Sequence, residues 1–284
     1  ISKIFVLLII YVVFIIMKKK YTVLIFTDLD GSLLHRDTFK FDNILNYLKD
    51  LISNGVIIIP NSSKTEVEIL KFNKELGINL PYISENGSVI KGMNLINSNF
   101  PNEIILSRDK DELLKIFETN VSENLKEKCE YILDMNKKRQ VEIFGLTDNK
   151  LKNATNRKYS IPLLFKGNKI EKNELVKILK TKSLTFQEGG RIQNLCDNVN
   201  KVKAMNKVLK IYRKIQDNTK VIAVGDNYND LEMLRNSDIP CLVFNDKFKE
   251  DQINIDNLII SNQSSPEGWA DVIKKAIVKI DQIY

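Results

Sequence analysis

The chain has 284 residues, 43% of them hydrophobic and 28% charged, with 11 glycines and 6 prolines. It is long enough for one large domain or two ordinary ones, too apolar for a disordered chain, and free of collagen-like or coiled-coil bias. The formal charge of +7 suits nucleic acid or small anionic substrates alike, so it decides nothing alone. The single histidine, His35, argues against a Ser-His-Asp triad and excludes a multi-histidine zinc site in one chain. An enzyme built on this chain would therefore draw its acids, bases and metal ligands mostly from carboxylates. Cys129, Cys196 and Cys241 form no CxxC, which fits a reducing, cytoplasmic setting and no thiol chemistry.

Residues 4–16 are an unbroken apolar run of 13, followed by Met17 and three lysines. A membrane span wants about 20 apolar residues, and a secretory leader wants small residues where the lysines stand. The expectation is that residues 1–16 are an upstream extension and that Met17 is a start. A short membrane anchor is the rival reading. From Met17 the pattern alternates apolar strands with helical stretches, which predicts an α/β core with a parallel sheet. A strand is expected at 21–26, a helix at 43–53 ended by Asn54-Gly55, and a second strand at 56–59 stopped by Pro60. A helix over 64–76 closes at Gly77, and 80–83 runs into the turn Glu85-Asn86-Gly87.

The middle of the chain reads as α+β. Helices are expected at 109–118 and around 121–129, and strands at 140–146 and 161–166. Residues 184–188 and 191–196 flank Gly189-Gly190 like a hairpin. After this segment come a helix at 203–214, a strand at 220–224 and a further strand at 242–244.

Chemistry gathers where strands end. Asp28 and Asp30 follow the first strand in FTDLDGSLL; two residues apart on extended chain, their carboxylates can face one site. Ligands of open parallel sheets bind at such carboxyl ends, and Gly31 allows a sharp turn away. The third strand repeats the arrangement in VGDNYNDLEML, with Asp226 directly after it and Asp230 four residues on. Asn227, Asn229 and Asp230 also suit plain helix capping. Carboxylates converging on one point repel, and a hard divalent cation relieves this; oxygen-only ligands indicate Mg²⁺ rather than zinc. Ser62 and Ser63, after the second strand, read as the start of a helix, where hydroxyls and backbone N–H groups hold phosphate. Lys201 precedes the helix leading to the third strand.

These four strings, DLDGS, Ser62, Lys201 and GDNYND, in this order, resemble the four motifs of the haloacid dehalogenase (HAD) superfamily of phosphohydrolases. The spacing of 139 positions from Ser62 to Lys201 leaves room for a large inserted cap, as in the type-2 capped subclass. The implied fold is a HAD-like Rossmannoid α/β three-layer core, 17–87 and 192–284, with an inserted α+β cap at 88–191. Finer strings resemble mannosyl-3-phosphoglycerate phosphatases: SSKTEVEI, ISENGSVI, YSIP, FQEGGRIQNL, GDNYNDLEML with DIPCLV, and PEGW. Ser32 stands where Thr is commoner, Val202 where Gly often follows the lysine, and residues 91–150 match weakly.

The resemblance implies Asp28 as nucleophile and Asp30 as general acid/base. It implies Mg²⁺ held by Asp28, the Asp30 carbonyl and Asp226, with Asn229 and Asp230 behind them, and Ser62 and Lys201 on the phosphoryl group. Lys64, Thr65, Glu188, Gly189, Gly190 and Arg191 are the candidates for the rest of the substrate, with Arg157 a weaker one; Gly-Gly also suits a bare hairpin turn. His35 reads as an ordinary loop residue. The leading expectation is a Mg²⁺-dependent, cytoplasmic phosphatase acting on a mannosyl- or glucosyl-3-phosphoglycerate in compatible-solute synthesis. A sucrose- or trehalose-phosphate type of phosphatase, a hexose-phosphate mutase and a non-catalytic sugar-phosphate-binding protein are the alternatives. No nucleic-acid partner is expected, and no membrane unless residues 1–16 are an anchor.

Overall fold

The computed structural model describes residues 21–188, 192–246 and 253–283. The apolar run at 4–16 and Met17, with the expectations attached to them, lie outside the described residues, as do Gly189, Gly190 and Arg191. Twelve strands occur among the described residues: β1 Thr22–Thr27, β2 Ile57–Pro60, β3 Tyr82–Ser84, β4 Val89–Lys91, β5 Glu103–Ile105, β6 Cys129–Tyr131, β7 Ser160–Phe165, β8 Leu184–Glu188, β9 Gln193–Asp197, β10 Thr219–Gly225, β11 Ile239–Leu242 and β12 Ile259–Ile260. The α-helices are α1 Leu45–Ser53, α2 Glu66–Leu76, α3 Lys110–Asn120, α4 Glu123–Lys126, α5 Lys137–Phe144, α6 Asp148–Thr155, α7 Lys169–Thr181, α8 Lys201–Tyr212, α9 Leu231–Arg235 and α10 Glu267–Ile283.

Contacts gather the chain into two units. One holds β1 up to Phe26, Asp30–Ile58 and the chain from Leu209; the other holds Thr27–Leu29 and Ile59–Val208. The first is built on a five-stranded sheet of order β12-β11-β10-β1-β2, in which β10, β11 and β12 run parallel. Val23 to Phe26 of β1 and Val221 to Val224 of β10 are buried, the continuous apolar run expected of strands covered on both faces. α10 packs on β10, β11 and β12, with Trp269 fully buried and its ring edge-on to Tyr47 at 6.5 Å. No helix among the described residues is long and apolar enough to cross a membrane.

The second unit carries two antiparallel sheets, β3-β4-β5 and β6-β7-β9-β8. Leu113 and Phe117 of α3, Leu175 and Leu179 of α7, and Leu163 and Leu195 of the larger sheet form its buried core. This is α/β architecture with separate antiparallel sheets, as expected of a HAD-like core with an α+β insertion.

Several local expectations are corrected. Residues 140–146, expected as a strand, belong to the helix α5. Asn136 caps it through its Oδ1, which accepts from Arg139 N–H at 3.0 Å, and Gly145 ends it in the left-handed region. Lys, Arg, Gln and Glu between two caps favour helix, and this outweighs the β-branched Val141 and Ile143. The expected helix at 121–129 is only α4, because Cys129 already pairs with Phe165 in the sheet. The second strand does stop at Pro60, but it runs Ile57–Pro60 rather than 56–59 and so includes the proline; β2 is the edge strand, where a missing N–H costs no ladder bond. The late strand is 239–242 rather than 242–244. α6, α7 and α10 were not expected, although α10 buries Trp269, Ala270, Val272, Ile273, Ala276 and Ile280 at helical spacing.

Candidate active site

Asp226 follows β10 directly and is 2% exposed, so its charge must be compensated by the chain. Ser32 Oγ donates to its Oδ1 at 3.1 Å, Asn245 Nδ2 donates to its Oδ2 at 3.0 Å, and the Arg36 guanidinium pairs with the same Oδ2. Gly31, at φ +83°, makes this possible: a Cβ there would lie 2.7 Å from Asp226 Oδ2 and 2.8 Å from an Arg36 nitrogen. Asp230, fully buried, shapes the turn after β10, its Oδ2 accepting from the N–H groups of Asp226 at 3.1 Å and Asn227 at 3.2 Å. Asn229, expected beside it, is exposed. Asp30 is half-buried, where its backbone bridges to Leu34. His35 holds the 35–40 loop, its Nδ1 accepting from Asp37 and Thr38 N–H.

In the second unit Lys201 Nζ lies 2.9 Å from Asp28 Oδ1, and the lysine is 2% exposed. Lys201 is the first residue of α8, not a residue before the helix. Asn61 links the two ends of this pair: its N–H donates to Thr27 O at 2.8 Å and its Nδ2 to Lys201 O at 3.0 Å. Ser62 is buried, but α2 starts only at Glu66, so Ser62 and Ser63 lie in the loop before it rather than at the helix start. Thr65 is the cap of α2, with a reciprocal Glu68 contact, and its hydroxyl also donates to Asn153 O at 2.9 Å. Lys64 Nζ lies 3.4 Å from Glu68 Oε1. Burial works to raise the Glu68 carboxyl, yet Lys64, the Thr65 N–H and Arg157 outweigh it and hold the group below the usual carboxylate range. Glu188 ends β8 opposite Gln193, so β8 and β9 pair as the expected hairpin arms.

A further buried carboxylate, Glu85, escaped the sequence reading. It is 4% exposed and accepts from Lys158 N–H at 2.9 Å, Tyr159 N–H at 3.1 Å and Ser160 Oγ at 2.6 Å. Arg157 donates to Ser160 Oγ at 3.0 Å and to the Ser63 carbonyl at 3.3 Å, while its Nε is buried without a hydrogen bond. Glu85 and Asn86 both adopt positive φ, 46° and 57°. Gly87 follows them, and a Cβ there would lie 2.2 Å from the carbonyl of Asn200, the residue before Lys201. The turn was legible as S-E-N-G, but its Glu85 contacts, 73 to 75 residues away, were not. The thiols are buried and free, and burial pushes that of Cys129 up to about 11.

Asp226 and Asp230 of the first unit offer buried carboxylates after β10, and Asp28 of the second unit offers one directly after β1. These donors are buried, anionic and oxygen only, which fits a hard divalent cation. A parallel sheet whose strand ends carry buried aspartates, in a chain that also holds a buried lysine–aspartate pair, is suited to an α/β hydrolase of the phosphoryl-transfer kind. The comparisons agree: residues 25–273 match the haloacid dehalogenase-like hydrolase family, and the chain belongs to it.

Two relatives are named glucosyl-3-phosphoglycerate/mannosyl-3-phosphoglycerate phosphatase. That of Persephonella marina is 28% identical over 91% of this chain and 98% of its own, and that of Methanococcoides burtonii 28% identical over 92% and 99%. Among solved structures, the HAD-superfamily phosphatase BT1666 from Bacteroides thetaiotaomicron superposes with a TM-score of 0.66 at 14% identity, covering 91% of this chain and 96% of its own. Family and relatives together make this protein a phosphoric monoester hydrolase.

Proposed function

We propose that this protein is a Mg²⁺-dependent phosphatase that hydrolyses a glucosyl- or mannosyl-3-phosphoglycerate to the glycosylglycerate and phosphate. The observation that carries the reading is Lys201 held against the buried Asp28, with buried Asp226 and Asp230 following β10. Asp28 attacks phosphorus, the bond to the glycerate oxygen breaks, and Asp30 protonates the departing alkoxide. Asp30 then takes a proton from water, which attacks the aspartyl-phosphate and frees Asp28 and phosphate. Lys201 and Ser62 bind phosphoryl oxygens, Lys201 as a point charge. Asp28, the Asp30 carbonyl and Asp226 would hold Mg²⁺, with Asp230 and Asn229 behind them; the cation would neutralise charge on the transferring group.

For the remainder of the substrate, Arg157 is the favoured residue. Its guanidinium is buried, bonded to the loop after Ser62, and retains a free Nε, and an Arg fork suits a carboxylate. Lys64, Thr65 and the 188–191 string complete the proposal, with residues 88–191 as the inserted cap and the cytoplasm as the site of action. The two relatives' names support the glycosyl-3-phosphoglycerate substrate over free hexose phosphates.

The test is phosphate release from mannosyl- and glucosyl-3-phosphoglycerate beside sucrose, trehalose and hexose phosphates. Release should be confined to the glycosyl-3-phosphoglycerates, abolished in Asp28→Asn and by excess EDTA, and slowed about 10²–10⁴-fold in Asp30→Asn. Undiminished release from Asp28→Asn, or isomer exchange without net phosphate, overturns the reading.

A further inference from the structure

We propose that Arg36 is a built-in competitor of the metal: its guanidinium compensates Asp226 when no cation is bound and must leave Asp226 Oδ2 for the cation to take that oxygen. The inference rests on the metal-dependent reading above and concerns how this chain regulates the occupancy of that site. Asp226 is a carboxylate with 2% of its side chain exposed, and such a charge is costly unless paired. Among the described residues, Arg36 is a cation set on it, on the same Oδ2 that accepts from Asn245. A slot is kept for that guanidinium, because the Cβ that Gly31 lacks would lie 2.8 Å from it.

The arm carrying Arg36 is itself ordered. His35 N–H donates to Lys40 O at 3.0 Å and Phe39 N–H to His35 O at 2.9 Å, so the loop closes on its own ends. Yet the Arg36 side chain is 37% exposed, so it can withdraw into water without unfolding anything. A partly exposed guanidinium on a buried carboxylate stabilises the metal-free site and is displaced at moderate cost. Metal affinity is then lowered by whatever the ion pair contributes, which is linkage between two ligands of one anion.

The experiment is titration of the full chain with MnCl₂ without substrate, free manganese being read by electron paramagnetic resonance, for the native protein, Arg36→Ala and Arg36→Lys. Arg36→Ala should bind Mn²⁺ about three- to tenfold more tightly than the native protein, the range a partly exposed ion pair supports. Arg36→Lys, which keeps the charge, should stay within about twofold of native. Without metal, Arg36→Ala should melt below the native protein, and saturating Mn²⁺ should close that gap. Equal or weaker Mn²⁺ binding by Arg36→Ala, a lysine variant as tight as the alanine variant, or no binding by any of the three overturns the proposal. Phosphate release separates the two readings. A native enzyme that is active while Arg36→Ala leaves affinity unchanged removes only the role of Arg36. A native protein inactive on every phosphate ester while the affinity shift persists removes only the activity.

Discussion

Asp28 and Asp226 are both buried carboxylates, and each is paired with a cation that chain order does not bring near, Lys201 for the first and Arg36 for the second, where the Ser32 hydroxyl adds a hydrogen bond. The aspartates themselves were legible, because two carboxylates at the end of an apolar run have a local signature. Asn61, Asn245, Arg36 and Glu85 carried no such signature; each is a common residue type whose meaning lies in a partner 19 to 190 positions away. A comparable long-range pair offers a pH test. Burial works to raise the Asp197 carboxyl, but Arg108, bonded to both its oxygens, lowers it below the ordinary range. A carboxyl depressed in the folded state stabilises the protein above its unfolded pKa of about 3.9, and that contribution is lost as pH falls through the folded value. Asp197→Asn should therefore melt lower than the native protein at neutral pH, with the difference closing below about pH 4. Thermal melts of both proteins between neutral and acid pH check this, and a gap that persists in acid would assign the effect to packing.

Among the elements, those bounded by strong punctuation were readable and those whose pattern is ambiguous were not. α2 lies between a Thr65 capping box and Gly77, and its expected end was right. Its start was expected at Lys64 and lies at Glu66, because Lys64 and Thr65 precede the first helical hydrogen bonds. Thr65 also ties the helix to Asn153 O. Thr65→Ala should lower stability by about 1–2 kcal/mol, from a lost cap and the lost hydroxyl bond to Asn153 O. The check is a urea midpoint that moves without change of slope. α5 shows the opposite case: VEIF reads as strand over four residues and as helix over eight, and the caps Asn136 and Gly145 decide it. The four-residue β-branched signal was the shorter-range one and lost.

Over the whole chain, the formal charge of +7 acquires a use if the substrate carries phosphate and carboxylate together. Attraction between a cationic enzyme and a small polyanion is screened within about 10 Å at 0.1 M salt. Raising NaCl from about 0.05 to 0.5 M should lower kcat/KM for a glycosyl-3-phosphoglycerate by about threefold or more, mainly through KM. Steady-state assays at fixed Mg²⁺ check it; a salt-independent kcat/KM would leave the charge without a part in binding. The α/β pattern, the antiparallel middle and the family resemblance were all legible in chain order, because strand–helix alternation and short motifs are local.

The amino-acid sequence by itself determined the class of this protein: strands that end in paired aspartates, a lysine and serine between them, and a middle segment of different periodicity. These are properties of neighbours in the chain, and neighbours are what hydrophobic period and turn chemistry report. Only the tertiary structure decided which cation faces which carboxylate. It set Arg36 on Asp226, Lys201 on Asp28, and Glu85 on the Lys158 and Tyr159 N–H groups and the Ser160 hydroxyl. A buried charge takes whichever partner the packed backbone brings within hydrogen-bond reach, and that distance is not written in chain order.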